Sequence, residues 1–218
     1  MSKFDLNKHT ARLLMREPFF AGISRRVDKT ATSSIPTAGV RLNTATGYFE
    51  MLYNPEFFEK LTDTQKLGVL KHEFYHLIFQ HVTDRLPDEG MTKIWNVATD
   101  LAINSHLIGE LPDGGCIPSV KDTPFENYPV GLSAEAYFKM LQEDEQFKKE
   151  PKQNGNGEPS DGDGNGQGGG GLPDTMDSHD DWGGESSDAN AVAKERLREM
   201  LEQASKEANR SNNWGSVS

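Results

Sequence analysis

Apolar residues recur at every third or fourth position over residues 61–82, LTDTQKLGVLKHEFYHLIFQHV, which predicts a helix with one buried face. Thr62 and Gln65 stand three residues apart at its start, the spacing of a capping box. The apolar positions are Leu67, Leu70, Phe74, Leu77 and Ile78. We therefore expect one helix from Thr62 to Val82, around which the rest of the chain is organised.

Two runs of strand-forming residues, 39–42 and 48–53, come shortly before this helix. The residues from Asn43 to Gly47 between them have the composition of a hairpin loop. An exposed edge of such a sheet can pair with an extended peptide through main-chain hydrogen bonds. The alternative is that the hairpin only covers the helix, and the sequence does not decide between the two.

Further helices and one more strand are predicted elsewhere. A short helix before Pro18 is followed by apolar residues of the core, among them Phe19, Phe20 and Ile23. Residues 111–129 are rich in Pro and Gly and predict an irregular segment with a short strand at 116–121. The additional helices are expected at residues 6–16, 93–107, 133–141 and 189–209.

Composition separates a linker from the folded part of the chain. The net charge is −11, and residues 150–188 account for −9 of it with ten acidic residues and one Lys. Residues 151–171 are rich in Gly, Asn and Asp, and such a segment cannot bury enough apolar surface to order itself. We expect a folded domain over residues 1–148, an acidic linker over 149–187, and a C-terminal helix with a polar tail over 188–218.

The same composition argues against several classes of protein. Outside the linker the charge is near −2, so there is no basic surface for nucleic acid. Cys116 is the single cysteine, which rules out an intramolecular disulfide. No segment has the length and apolar composition of a signal peptide or a membrane span. A soluble, cytoplasmic protein that binds neither nucleic acid nor membrane is the expectation.

The predicted central helix carries an HExxH motif, formed by His72, Glu73 and His76. On a helix that turns about 100° per residue, the two histidines lie about 40° apart and one turn above one another. Two imidazoles can then meet one metal ion, with Glu73 beside them to act on a metal-bound water. The alternative is a surface helix that carries two unrelated histidines.

Asp100 is the candidate for a third metal ligand. It lies 24 residues after His76, which is long enough for a loop and a second helix to bring its carboxylate to the metal. A catalytic zinc site commonly has three protein ligands and leaves a fourth position for water. Asn96 and Asn104 lie one turn to either side of Asp100 and could support the ligands or the helix packing. The alternative role for Asp100 is a helix cap or a salt bridge.

The other candidate histidines are expected to lie outside the first coordination shell. On a regular helix His81 would lie about 180° from His72, so it could reach the metal only if the helix broke. It also falls one residue short of the HExxHxxGxxH spacing. His106 lies about 120° from the face of Asp100, and His9 has no obvious partner. Structural or solvated roles are expected for all three.

Four segments together resemble a family of predicted zinc metallopeptidase domains, zincin-like and often joined to a von Willebrand factor A-like domain. They are FDLNKHTARLLMREPFFAG, IPTAGV before YFEMLYNPEFF, LGVLKHEFYHLIFQH and WNVATDLAIN, and MDSHDDW matches more weakly. The resemblance implies that His72 and His76 bind zinc, that Glu73 is the catalytic acid and base, and that Asp100 is the third ligand. It also implies a partner of the A-like type, in cis or in trans.

These observations lead to an α+β, zincin-like fold in which a small mixed sheet packs on the HExxH helix. The predicted activity is zinc-dependent cleavage of peptides or proteins by an endopeptidase with one Zn²⁺ per chain. Tyr53 and His179 are the candidates for stabilising the oxyanion. The alternative is a catalytically silent, metal-containing scaffold that acts with a partner. Against it, a purely structural site is usually closed by four protein ligands and needs no base such as Glu73.

Overall fold

The computed structural model describes most of the chain and has the mixed helix and strand content that the sequence predicts. The described residues contain a three-stranded sheet and six helices. They are residues 4, 6, 9, 11, 15–43, 46–83, 85, 92–147, 172, 175 and 187–213.

The elements follow one another with the sheet in the first quarter of the chain. The strands are β1 (Asp28–Ala31), β2 (Ala38–Asn43) and β3 (Tyr48–Tyr53). The helices are α1 (Pro18–Ser24), α2 (Pro55–Lys60), α3 (Asp63–Ile78), α4 (Lys93–Asn104), α5 (Ala134–Glu143) and α6 (Ser187–Asn213).

The sheet has the order β1-β3-β2 and is mixed. Strands β2 and β3 form the predicted antiparallel hairpin, with Val40 opposite Met51. Strand β1, which the sequence pattern did not predict, pairs with β3 in parallel, with Thr30 opposite Leu52. Since the buried residues of β2 and β3 form one core with α3, the sheet lies against the helix that carries the HExxH motif.

Helix α3 begins as predicted and ends earlier than predicted. The Thr62 side chain accepts a hydrogen bond from the Gln65 backbone, and the Gln65 side chain accepts one from Thr62, which completes the capping box. The helix ends at Ile78, so the expectation that it continues to Val82 is wrong. Gln80 has a φ of 61°, in the left-handed region where a helix cannot continue.

The described residues contain two large apolar clusters. The first, which we call the sheet core, joins α1, β2, β3, α3 and α6, and includes Phe20, Ile23 and Phe74. The second, which we call the helical core, joins α4 and α5 to the segment between them, and includes Leu101 and Tyr137. Phe19 packs against the sheet core, so the three core residues predicted near the N-terminus are confirmed.

Helix α6 packs on α1 and against the tip of the hairpin. Its Ala204 lies so close to Gly22 that a Cβ on Gly22 would come within 2.9 Å of the Ala204 backbone. Glu207 accepts a hydrogen bond from Arg26 at 2.6 Å. At the other end Arg196 donates to the Thr46 carbonyl at 2.7 Å. Although it follows the predicted linker, this helix therefore contributes to the sheet core.

The remaining predictions concern three helices, a strand and the segments on either side of the folded part. The predicted helices at residues 93–107, 133–141 and 189–209 correspond to α4, α5 and α6. The predicted strand at 116–121 is wrong, because Ser119 has a left-handed φ of 59° and its hydroxyl donates to the Tyr128 carbonyl in a turn. The predicted linker and its His179 lie outside the described residues, apart from Leu172, Thr175 and the start of α6, as does most of the predicted helix at residues 6–16.

Gly68 lets the segment after α4 approach α3 closely. A Cβ on Gly68 would overlap with the carbonyl oxygen of Glu110 and come within 2.7 Å of its carbonyl carbon. The contact is reinforced by buried Lys71, whose ammonium pairs with Glu110 at 2.5 Å and with Glu17 at 2.8 Å. Burial alone would lower the pKa of Lys71, but the two carboxylates outweigh it and raise that pKa above its ordinary value.

We expect Gly68→Ala to destabilise the protein. Alanine favours a helix by about 1 kcal/mol over glycine, but the overlap is with backbone atoms, and overpacking of that kind costs about 1–3 kcal/mol or more. The melting temperature should therefore fall by several degrees. Thr64→Ala, at an exposed position of the same helix, is the matched control and should leave it unchanged or slightly higher. An equal effect of the two variants would show that the contact with Glu110 does not matter.

Candidate metal centre

Helix α3 places both histidines of the motif on its buried side. His72 and His76 are one turn apart, and their Nε2 atoms are 3.1 Å from each other. Both side chains are fully buried. Because the apolar residues of α3 pack into the sheet core, the helix is held in the rotation that points these rings inward.

Helix α4 brings Asp100 to the same point. The Oδ1 atom of Asp100 lies 3.7 Å from His72 Nε2 and 3.6 Å from His76 Nε2. Asp100 is also fully buried. The carboxylate comes from the helical core, whereas the two histidines come from a helix of the sheet core. The structure thus brings together the three residues that the sequence proposed as ligands.

The spacing of the three donor atoms fits a single metal ion. Ligands at about 2.0–2.1 Å from a tetrahedral ion stand about 3.3 Å from one another. The observed separations of 3.1, 3.7 and 3.6 Å lie around that value. Two imidazole nitrogens and one carboxylate oxygen are donors that transition metals accept. Among the described residues, this is the group of His, Cys, Asp or Glu side chains with the geometry of a metal site.

Asn104 orients the His72 ring. Its amide nitrogen donates to the Cys116 carbonyl at 2.9 Å, which fixes the direction of the amide group. Its Oδ1 then faces His72 Nδ1 at 2.7 Å, so His72 must donate its Nδ1 proton to it. His72 Nε2 is left unprotonated and points at the other two donors. Such a contact from behind the ring is typical of histidines that bind metals.

Glu73 is held by the sheet. Its Oε2 accepts a hydrogen bond from the backbone N–H of Val40 on β2 at 3.0 Å. The side chain is buried, although it carries an ionisable group. Since Glu73 adjoins His72 in sequence and is tied to β2, the strand fixes where this carboxylate can lie relative to the candidate ligands.

The early end of α3 places His81 beside His76, where a regular helix would not have put it. His81 Nδ1 lies 3.2 Å from His76 Nδ1, on the side of the ring away from Asp100. The prediction of a regular helix placed His81 on the opposite face, and the turn at Gln80 overrides it. The expectation of a structural role outside the first shell agrees with this buried position. A Gly or Asn at position 80 would have signalled the helix end, but the residue there is Gln.

The remaining candidates lie elsewhere. The Tyr53 ring packs on Phe58, with centroids 5.8 Å apart, and His179 lies outside the described residues. Asn96 donates to the Thr175 hydroxyl at 2.6 Å. His106 is exposed and stacks on Tyr75, and buried His9 stacks on Phe4.

A short segment of the chain is similar to a protein of Thermotoga maritima. That protein, described as "Uncharacterized protein", is 39 % identical over 62 residues. The matched segment is 28 % of this chain and only 16 % of that protein. No solved structure matches the chain significantly.

None of the helices that the structure describes is both long enough and apolar enough to cross a bilayer.

A family model matches almost the whole chain. It covers residues 2–215 and is described as "Putative metallopeptidase domain". The match includes α3 and α4, which carry the three convergent donors. The chain therefore belongs to this family, "Putative metallopeptidase domain".

Proposed function

We propose that this protein is a zinc-dependent endopeptidase of zincin type, with one Zn²⁺ held by His72, His76 and Asp100. The observation that carries the proposal is the convergence of three metal donors, with a buried carboxylate, Glu73, directly after His72 in the chain. A structural zinc site is usually closed by four protein ligands and has no need of a base. Among the described residues three protein donors converge, one fewer than a closed structural site has, and Glu73 follows the first of them in the chain.

In this proposal zinc and Glu73 have separate roles in hydrolysis. Zinc, when bound, supplies a Lewis acid that polarises the scissile carbonyl and lowers the pKa of a bound water to about 7. Glu73 takes a proton from the attacking water and later delivers it to the leaving amine. The C–N bond breaks, a new C–O bond forms, and the carboxylate of Glu73 is regenerated.

Strand β2 covers the helix that carries the motif. It is an edge strand of the described sheet, and the N–H of Val40 points away from β3 and donates to Glu73. Ala38, Gly39 and Val40 are buried, so this part of the edge is not open to a pairing peptide. Of the two roles considered for the hairpin, the arrangement near Glu73 favours the covering role.

The proposal also includes the location, the substrate and the partner of the protein. We place it in the cytoplasm, with a peptide or protein as substrate and without nucleic acid or membrane as partner. A von Willebrand factor A-like domain, in cis or in trans, would be its partner. This rests on the sequence resemblance, and the chain spans 16 % of the length of the curated relative it matches.

Metal analysis together with digestion of a peptide library tests the function. The purified protein should contain about one Zn²⁺ per chain and cleave part of the library. A chelator should stop the cleavage, and added Zn²⁺ should restore it. Full zinc occupancy without cleavage, both alone and with an A-like partner supplied, would overturn the peptidase proposal and favour the scaffold. Cleavage only with the partner would support both the function and the partnership.

A further inference from the structure

The end of helix α3 folds back in a way that places His81 behind His76. The N–H of Gln80 bonds to the Leu77 carbonyl at 3.0 Å, and the N–H of His81 bonds to the His76 carbonyl at 2.9 Å. These two bonds and the left-handed Gln80 form a Schellman motif. The Schellman motif therefore brings His81, the residue after Gln80, back beside the helical turn that contains His76.

The His81 ring is held in place from several sides. It is fully buried, and its ring centroid lies 5.3 Å from that of His76. Phe79 packs on it at 5.7 Å, and Trp95 of α4 contacts it edge-on at 6.5 Å. A ring packed in this way has little rotational freedom. Its Nδ1 is thus fixed at 3.2 Å from His76 Nδ1.

The contact determines which nitrogen of His76 carries the proton. To bind a metal through Nε2, a neutral His76 must carry its proton on Nδ1. That proton points at His81 Nδ1, so His81 must accept it and carry its own proton on Nε2. In the same way, the amide oxygen of Asn104 accepts the Nδ1 proton of His72. The two ligand histidines would thus be oriented by different chemical groups.

We propose that His81 is a positioning residue of the metal centre, which accepts the Nδ1 proton of His76 and thereby keeps His76 Nε2 directed at the metal. The inference rests on the metal centre of the proposed function, although not on peptide cleavage. It extends the motif of the site to HExxHxxxxH, in which the last histidine supports the second ligand and does not bind the metal itself.

Two substitutions separate this role from simple packing. In His81→Asn the Oδ1 atom can occupy the place of the imidazole Nδ1 and accept the same proton. His81→Leu fills a similar volume without an acceptor. Competition with a chromophoric chelator should show Zn²⁺ binding about 10–100-fold weaker for His81→Leu and within a few-fold of wild type for His81→Asn. The melting temperature of each metal-free variant shows whether packing has changed.

The protonation state of His76 supplies a second measurement that needs neither metal nor activity. In ¹⁵N NMR of the metal-free protein, His76 should be the Nδ1–H tautomer in wild type and in His81→Asn. In His81→Leu it should become a mixture or the other tautomer. Equal zinc affinity in the leucine and asparagine variants, or an Nε2–H tautomer in the wild type, would overturn the proposal. If zinc affinity and the His76 tautomer are as expected but the protein cleaves no peptide, only the proposed peptidase function is contradicted.

Discussion

Replacing Glu73 by glutamine should lower peptide hydrolysis by at least about a hundredfold, the lower range for the loss of a general base. Glutamine has nearly the same shape, and its amide oxygen can still accept the hydrogen bond from Val40. The fold and the metal should therefore remain. Rates on a cleaved peptide from the library, measured beside zinc content and melting temperature, check this expectation.

The matched control is Glu56→Gln, which makes the same change at a helix N-terminus distant in sequence from the motif. It should leave the rate of hydrolysis unchanged. A Glu73→Gln protein that holds zinc and cleaves as fast as wild type would show that another group moves the proton. If activity needs an A-like partner, the comparison is made with that partner present, and the restored cleavage should still depend on Glu73.

Removing either histidine ligand should abolish tight zinc binding. His72→Ala or His76→Ala leaves one imidazole and one carboxylate, which cannot complete a tetrahedral site. Asp100→Ala should weaken binding to a smaller extent, because both imidazole ligands remain and water can take the vacant position. Competition titration with a chelator measures all three affinities, and circular dichroism of the metal-free proteins shows whether each variant is folded.

His106→Ala serves as the control for these variants. It removes a histidine that is exposed and stacked on Tyr75, away from the three donors. Zinc affinity should be unchanged in this variant. Full occupancy in His72→Ala or His76→Ala would disprove the ligand assignment, and unchanged affinity and activity in Asp100→Ala would move the third-ligand role to another residue.

Local sequence patterns predicted those parts of the fold whose signals lie within a few residues. The capping box at Thr62 marked the start of α3, and the HExxH spacing placed two donors on one face. Asp100 stood out as a carboxylate in an apolar helix. Strand β1 gave no such signal, because its residues are largely exposed at the sheet edge and carry no apolar alternation.

Contacts between distant segments could not be predicted. Glu73 and Val40 are 33 residues apart and meet only because β2 lies beside α3. The role of His81 depends on a helix end at Gln80, where tertiary packing imposes a left-handed conformation on a residue that does not favour it. For the same reason the turn at Ser119 was mistaken for a strand: its hydrogen bond to Tyr128 spans nine residues.

The division of the interior between the sheet core and the helical core gives the ion a mechanical role as well. Helix α3 belongs to the first and α4 to the second, and the ligands come from both. A bound ion would therefore cross-link α3 and α4, in addition to the direct contacts that Gly68 and Lys71 of α3 make with Glu110 after α4. Its binding free energy would add to the work of pulling them apart, so that the resistance of this joint to opening rises with the concentration of free metal.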